Sequence, residues 1–307
     1  MNPLVSIVTP SYNQALFLEE TIQSVLDQDY EPIEYVVVDD GSTDGSVEIV
    51  ERYADRLAWW TAQENRGQVP AVNRGFRHTS GEYMAYLNSD DTLVPGAIRR
   101  MVAEFDADPR LLLVYGDALY TDEHSHQTGL LPSREFDPVA MVRNCDNHVV
   151  QPSTLWRRDA WERYGPLNVD GWYFFDFEFF LQFPPERVRR IAEPLSTYRI
   201  HVEAKSTGAS GSRLAQDHAR LAETFFNSDR VPEGARGVAR QGRANAYLLG
   251  AEFAYEGLDL GRARRYALRG LRVDPRQISP RWLSLGAKSM LPSAVVRRLR
   301  NGRRSRA

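Results

Sequence analysis

Two rhythms of apolar and polar residues run through the first hundred positions. Largely apolar, β-rich runs at 4–8, 35–38 and 83–87 read as strands buried on both faces. A further strand is expected near 57–61. Between the runs, Leu16, Leu18, Ile22, Val25 and Leu26 recur at helical spacing. Helices are also predicted at 46–53 and 69–78, the latter with Pro70 in its first turn, where a missing N–H is tolerated. After Pro95 a helix is predicted to about Asp106, then a strand over 111–115 that ends at Gly116-Asp117. Strands alternating with helices predict an α/β fold with a parallel sheet. In such a sheet the ligand crevice lies at the C-terminal strand ends. The polar stretches there are 9–13, 39–45 and 88–91.

The third stretch interrupts an apolar run abruptly: Tyr83-Met84-Ala85-Tyr86-Leu87 stops at Asn88-Ser89-Asp90-Asp91. Two adjacent carboxylates at a buried strand tip repel each other unless a cation sits with them. Mg²⁺ and Mn²⁺ favour such oxygens and commonly arrive with a ligand's phosphates. A solvated acidic turn is the alternative. The first strand is followed by neither a Gly-x-Gly-x-x-Gly turn nor a Walker lysine loop, which speaks against a dinucleotide dehydrogenase or a P-loop enzyme.

Further on, 123–137 is polar and carries His124 and His126, expected to be solvated for want of a third ligand. Residues 149–158 read as a strand packing beneath the strand tips. Asp176 and Glu178 stand inside the aromatic run Trp172-Tyr173-Phe174-Phe175-Asp176-Phe177-Glu178-Phe179-Phe180-Leu181. A carboxylate buried there without a partner would cost several kcal/mol. On a helix the two acids point to different faces, one able to act while the other braces. A Gly/Ser-rich loop at 206–212 could close over a ligand. Residues 213–307 read as mostly helical, and 244–273 resembles one tetratricopeptide hairpin.

With 42% hydrophobic and 26% charged residues, the 307-residue chain has the composition of a soluble globular protein. No apolar run approaches the length of a membrane span. The N-terminus reads as a first strand rather than a signal peptide. Cys145, the sole cysteine, excludes an internal disulfide and suits a cytoplasmic location. The net charge of −3 hides an asymmetry: from residue 235 onward there are 17 Lys+Arg against 4 Asp+Glu, leaving 21 against 37 before it. The basic stretch at 295–306 suits a peripheral contact with an anionic membrane or a solvated tail. No reader module accompanies it, so no nucleic-acid partner is expected.

Thr9-Pro10-Ser11-Tyr12-Asn13, Val38-Asp39-Asp40-Gly41-Ser42-Thr43-Asp44, Asn65-Arg66-Gly67, Asn73-Arg74-Gly75, Gly81-Glu82-Tyr83 and Leu87-Asn88-Ser89-Asp90-Asp91 occur in this order. Together they resemble the nucleotide-sugar-binding half of family 2 glycosyltransferases of the GT-A fold, a Rossmann-like mixed sheet flanked by helices. The resemblance reaches about residue 207. It implies a catalytic domain over 1–210, with a nucleotide-sugar half at 1–95 and an acceptor half at 96–210, and a helical extension over 211–307. It implies an inverting, non-processive transfer of one sugar to a hydroxyl of a glycan or lipid-linked acceptor in cell-surface polysaccharide synthesis. The donor would be a nucleoside-diphosphate sugar, UDP-sugar first, with Mn²⁺ or Mg²⁺ as cofactor.

By the same resemblance Pro10, Tyr12, Asp40, Asn65, Gly67, Gln68, Asn88 and Asp90 would bind the donor. Asp90, Asp91 and His201 would hold the metal, and Asp176 would be the catalytic base. Asp117, Gln151 and Glu178 would lie on the acceptor side. The family's usual Asp-x-Asp begins here with Asn88, which carries no charge. Asp40 and Asn65 have loop- or helix-capping alternatives, and Asp44 fits a cap before Ser46. Two rival functions are a non-catalytic nucleotide-sugar-binding scaffold and a nucleotidyltransferase. The latter would show a Gly-rich loop near the N-terminus, and this sequence has none.

Overall fold

The computed structural model describes residues 2–202, 204–205 and 211–290. The basic tail at 295–306 and most of the loop at 206–212 lie outside the described residues. The chain divides into two compact units, one of residues up to 136 with 147–201, the other of 137–146 with residues from 202 on. The sequence places this boundary at 210 and gives 137–146 to the catalytic domain. The difference comes from α5, described below.

The first unit opens with β1 (Val5–Ser11), α1 (Leu18–Leu26), β2 (Ile33–Asp39), α2 (Ser46–Arg52), β3 (Trp59–Ala62), α3 (Gln68–Phe76) and β4 (Tyr83–Tyr86). The strands lie in the order β3-β2-β1-β4, all parallel. The period of two along each strand decides which layer each side chain joins. Val5 and Ile7, Tyr35 and Val37, and Tyr83 and Ala85 pack with Leu18, Ile22 and Val25 of α1. Val8, Val36, Val38, Met84 and Tyr86 pack on the opposite face with Val69, Val72 and Phe76 of α3. Both faces are therefore covered, as the continuous apolar runs predict.

The sheet then turns antiparallel. After α4 (Ala97–Ala107) come β5 (Leu113–Thr121), β6 (Gln127–Leu131), and, beyond the second unit's α5 (Pro138–Asn144), β7 (Thr154–Arg157), α6 (Arg158–Tyr164), α7 (Phe175–Phe180) and β8 (Val188–Arg199). β7 joins β4 to β5, antiparallel to both. β6 continues along β5 antiparallel, and β8 pairs with β5 in parallel. β5 does not stop at Gly116-Asp117 as expected. It runs on through a register shift opposite β8, where Asp117 faces Pro194. A proline lacks the N–H a regular ladder needs, so a bulge is where β8 tolerates one. β6 falls in the stretch read as a polar loop. Its residues are exposed or half-buried, so it carries no apolar run to announce it.

The second unit consists of α5, α8 (Gly211–Glu223), α9 (Ala239–Glu256), α10 (Leu260–Val273) and α11 (Pro280–Ser289). α9 and α10 form the hairpin expected from the sequence. α5 packs against α9 so closely that a Cβ on Gly242 would lie 2.0 Å from the Val142 carbonyl oxygen. Because that contact is backbone to backbone, α5 belongs to this unit despite its place in sequence.

Candidate active site

In-register pairing of Ser11 with Asp39 sets the first two strand tips side by side. Asn13 ties them together: its Oδ1 accepts from Thr43 N at 2.8 Å and its N–H donates to Ser42 Oγ at 2.9 Å. Pro10 is buried in β1, whereas Tyr12 is 48% exposed and presents its ring at this edge. Asp39 turns inward, accepting from Gly41 N, Ser42 N and Ser42 Oγ. Asp44 accepts from Ser46 N at 3.1 Å at the start of α2, and from Ala15 N at 2.9 Å.

Asp40 is 2% exposed. Its carboxylate accepts from Gln63 Nε2 at 2.6 Å, Arg66 N at 3.0 Å and Gly67 N at 2.7 Å. Asp40, for which a base- or ribose-facing role is expected, anchors the 65–67 loop with its carboxylate. Gly41 makes the close approach possible. It has φ +86°, and a Cβ there would lie 2.9 Å from Asn65 N. Asn65 Oδ1 accepts from Gly67 N at 3.1 Å, the loop-capping arrangement.

The third tip is linked to its neighbours by side-chain amides. Gln68 Nε2 donates to Asn88 Oδ1 at 2.6 Å. Asn88 Nδ2 donates to Asp91 Oδ2 at 3.2 Å and to Gln151 Oε1 at 3.3 Å. Gln151 in turn donates to the Tyr86 carbonyl at 2.7 Å. An aspartate at position 88 could accept but not donate, so the neutral amide is what lets Asn88 bond Asp91.

Asp90 and Asp91 face opposite ways. Asp91 is 3% exposed and accepts from Arg199 N at 3.0 Å. Burial, reinforced by the Asp90 carboxylate, pushes its ionisation well above the usual carboxylate range. The carboxylate of Asp91, for which a metal role is expected, accepts from Arg199 N and from Asn88 Nδ2. Asp90 keeps a half-open side chain, and Oδ2 lies 3.1 Å from His201 Nε2. The His201 ring packs against Phe17, centroids 4.8 Å apart.

Arg199 shapes this corner, a role that sequence reasoning missed. Its buried guanidinium donates to the Asp90 carbonyl at 2.8 Å, the Asp122 carbonyl at 3.1 Å and Glu20 Oε2 at 2.7 Å. It also lies over the Phe17 ring at 4.7 Å. Thr21 Oγ1 donates to the Asp91 carbonyl at 2.8 Å, and Thr92 N donates to Thr197 Oγ1 at 3.0 Å. The turn is thus pinned to α1 on one side and β8 on the other. The available signal was an arginine in a strand two residues before a candidate histidine ligand.

Asp176 is the least buried residue of α7. Asn147 Nδ2 lies 3.4 Å from its Oδ2, and Phe177 N donates to Oδ1 at 2.7 Å. The ring before it, Phe175, packs against Tyr86, centroids 6.0 Å apart. Burial raises the ionisation of the Tyr86 hydroxyl, and the Asp176 and Asp91 carboxylates raise it further. The Tyr173 hydroxyl is pushed up to about 12 by burial and then by Asp176. The buried tyrosine at the tip of β4 thus has the residue before Asp176 packed on its ring.

Glu178 is 1% exposed and bonds Asn168 Nδ2 at 2.9 Å, a bracing position. Asp117, 5% exposed, accepts from Ser133 N, Ser133 Oγ and Arg190. With Gln151 holding β4, the three residues expected on the acceptor side are all engaged inside the fold. His124 and His126 are exposed, as expected.

Among the described residues no cluster of three His, Cys, Asp or Glu side chains is poised for a metal. Asp90 and His201 nonetheless offer a carboxylate oxygen, which suits Mn²⁺ or Mg²⁺, beside an imidazole nitrogen. Mg²⁺ prefers an all-oxygen shell.

A parallel half with polar strand tips, joined to a mixed half that carries α7, is the GT-A glycosyltransferase fold. Residues 1–349 of S. aureus TarS, crystallised in complex with UDP-GlcNAc, superpose with a TM-score of 0.66 at 18% identity, covering 97% of this chain and 92% of that one. The mannosyltransferase PcManGT of Pyrobaculum calidifontis, in complex with GDP-Man and Mn²⁺, gives 0.58 at 19% identity, covering 98% and 87%. The profile of glycosyl transferase family 2 matches residues 6–164, just over half of the sequence, and the chain belongs to that family. The putative teichuronic acid biosynthesis glycosyltransferase TuaG of Bacillus subtilis is 42% identical over 92 residues, 29% of this chain and 36% of TuaG. The chain spans only part of several curated relatives it matches, 58%, 39% and 36% of their lengths.

Proposed function

We propose that this chain transfers one sugar, with inversion, from a nucleoside-diphosphate sugar to a hydroxyl of a glycan or lipid-linked acceptor in polysaccharide biosynthesis. The observation that supports the reading is that Tyr86, two residues before Asn88, packs its ring against Phe175, the residue before Asp176. Asp176 takes the proton from the acceptor hydroxyl. The acceptor oxygen forms its bond to the anomeric carbon as the bond to the diphosphate breaks on the opposite face, so one displacement gives one inversion. Asp90 and His201 would hold the divalent cation, which would supply positive charge to the departing diphosphate. Tyr12 offers an aromatic face to the base, and the loop fixed by Asp40 borders the donor at Asn65, Gly67 and Gln68. Arg199 keeps the turn in place through the Asp90 carbonyl.

A UDP-sugar is the first donor to test. Support comes from the TarS neighbour, whose structure contains UDP-GlcNAc. Mn²⁺ is the first cation, supported by the carboxylate–imidazole pair and by the Mn²⁺ in the PcManGT structure. Among the described residues no helix is long and apolar enough to cross a membrane. We place the reaction in the cytoplasm, with membrane contact, where it occurs, through the basic C-terminal stretch.

The test is a thermal-shift panel of UDP-, GDP- and dTDP-sugars with and without Mn²⁺, followed by nucleotide release. A Mn²⁺-dependent rise in Tm with at least one donor is expected. No shift with any donor in the presence of metal overturns the reading.

A further inference from the structure

In the helical unit, an open pocket of about 460 Å³ is lined by Phe226, Asn227, Arg240, Arg243, Arg272 and Val273. Its volume lies within the range of small-molecule sites. Three of the six lining residues are arginines and none is acidic. Like charges gathered in one pocket repel each other unless an anion sits among them.

The nearby acids are engaged elsewhere. Glu223 accepts from Tyr247 Oη at 3.1 Å and pairs with Arg269. Asp274 pairs with Arg276 at 2.9 Å. Arg243 Nε is buried and has no hydrogen-bond partner among the described residues. An orphaned buried donor is uncommon in folded proteins and commonly marks a place for a water or an ion.

The frame around these arginines is fixed. Arg240 and Arg243 stand three residues apart on α9, on one face of the helix. Arg240 Nε donates to the Val273 carbonyl at 2.7 Å, which settles where the rest of that guanidinium lies. Arg272 occupies the last turn of α10. Asn227 is held by its own bond to the Glu223 carbonyl at 2.9 Å. Guanidinium groups gathered in one place suit a phosphate, whose oxygens accept paired N–H donors. Phe226 and Val273 add an apolar wall, which free inorganic phosphate would leave unused.

We propose that this pocket is a binding site for an organic phosphate, a phosphoryl group attached to a small carbon skeleton, separate from the donor chemistry of the other unit. Arg243 and Arg272 bind the phosphoryl oxygens, Arg240 completes the charge, and the skeleton lies against Phe226 and Val273. The phosphate comes either as a soluble ester or as part of a lipid headgroup, and the probes distinguish the two.

The test uses the full chain and no transferase assay, so its outcome is independent of the proposed sugar transfer. Glycerol 1-phosphate, inorganic phosphate and phosphatidylglycerol vesicles are titrated while hydrogen–deuterium exchange is read peptide by peptide. Glycerol 1-phosphate is expected to protect the peptides covering 225–243 and 270–274, and to bind at least fivefold tighter than inorganic phosphate. Protection by vesicles alone, at the same peptides and lost in the pocket variants, assigns the phosphate to a lipid headgroup and also supports the site. Arg243→Gln and Arg272→Gln are expected to weaken binding at least tenfold, with Arg265→Gln, exposed on α10 and outside the pocket, unchanged. The proposal is overturned if no probe protects these peptides. It is equally overturned if Arg265→Gln weakens binding as much as the pocket variants, since a diffuse surface attraction then accounts for it.

Discussion

At the scale of single residues, neighbouring acids in this chain have opposite fates. Asp90 is half-open and meets His201, whereas Asp91 is buried and spent on Arg199 and Asn88. Asp176 is the open acid of α7, and Glu178, two residues on, is sealed in. Asp176→Asn is expected to lower kcat about 1,000-fold, within the range for loss of a general base, while donor binding by thermal shift stays unchanged. A loss of donor binding instead would make Asp176 a structural residue. Arg199→Met leaves the part-buried carbonyls of Asp90 and Asp122 without their donor. It is expected to cost about 2–4 kcal/mol in urea unfolding and to remove the Mn²⁺-dependent shift. An unchanged shift would show that the turn holds its shape without the guanidinium.

At the scale of elements, the strands were readable because their apolar runs are continuous, and α1 and α3 because their apolar faces recur at helical spacing. β6 was not readable, since an exposed edge strand has no buried face to pattern. The helical unit contains one element whose packing has a pH signature. His218 on α8 is buried against Phe253, ring centroids 5.1 Å apart, and burial lowers its pKa from 6.5 to about 4 despite the adjacent Asp217. The folded state refuses a proton that the unfolded chain accepts. Stability is therefore full above pH 6.5 and is lost as pH falls from 6.5 toward 4, by about 3 kcal/mol in all. Urea titrations at pH 7 and pH 5 are expected to differ less for His218→Leu than for the natural chain. An equal difference would assign the pH dependence to other groups.

At the scale of the whole molecule, a family 2 glycosyltransferase fold occupies one unit and an arginine-lined pocket the other. In the proposed reaction a divalent cation would serve the donor chemistry of the first. EDTA is expected to abolish the donor-dependent rise in Tm, with Mn²⁺ restoring it fully and Mg²⁺ only in part, because imidazole from His201 suits Mn²⁺ better. Equal recovery with both cations would remove His201 from the metal's shell. A donor-induced shift that survives EDTA would remove the metal from donor binding altogether.

The sequence by itself determined the parallel half of the sheet, the three polar tips at its edge and the acids at 90 and 176. These are local properties: an apolar period, a polar interruption, a charge in an aromatic run. Which way each acid points was decided only in three dimensions. Asp40 is claimed by N–H groups 26 and 27 residues away, and Asp91 by an arginine 108 residues away. Whether a carboxylate is open to a ligand or closed on the chain depends on the donors that folding brings to it, and no periodicity along the chain records them.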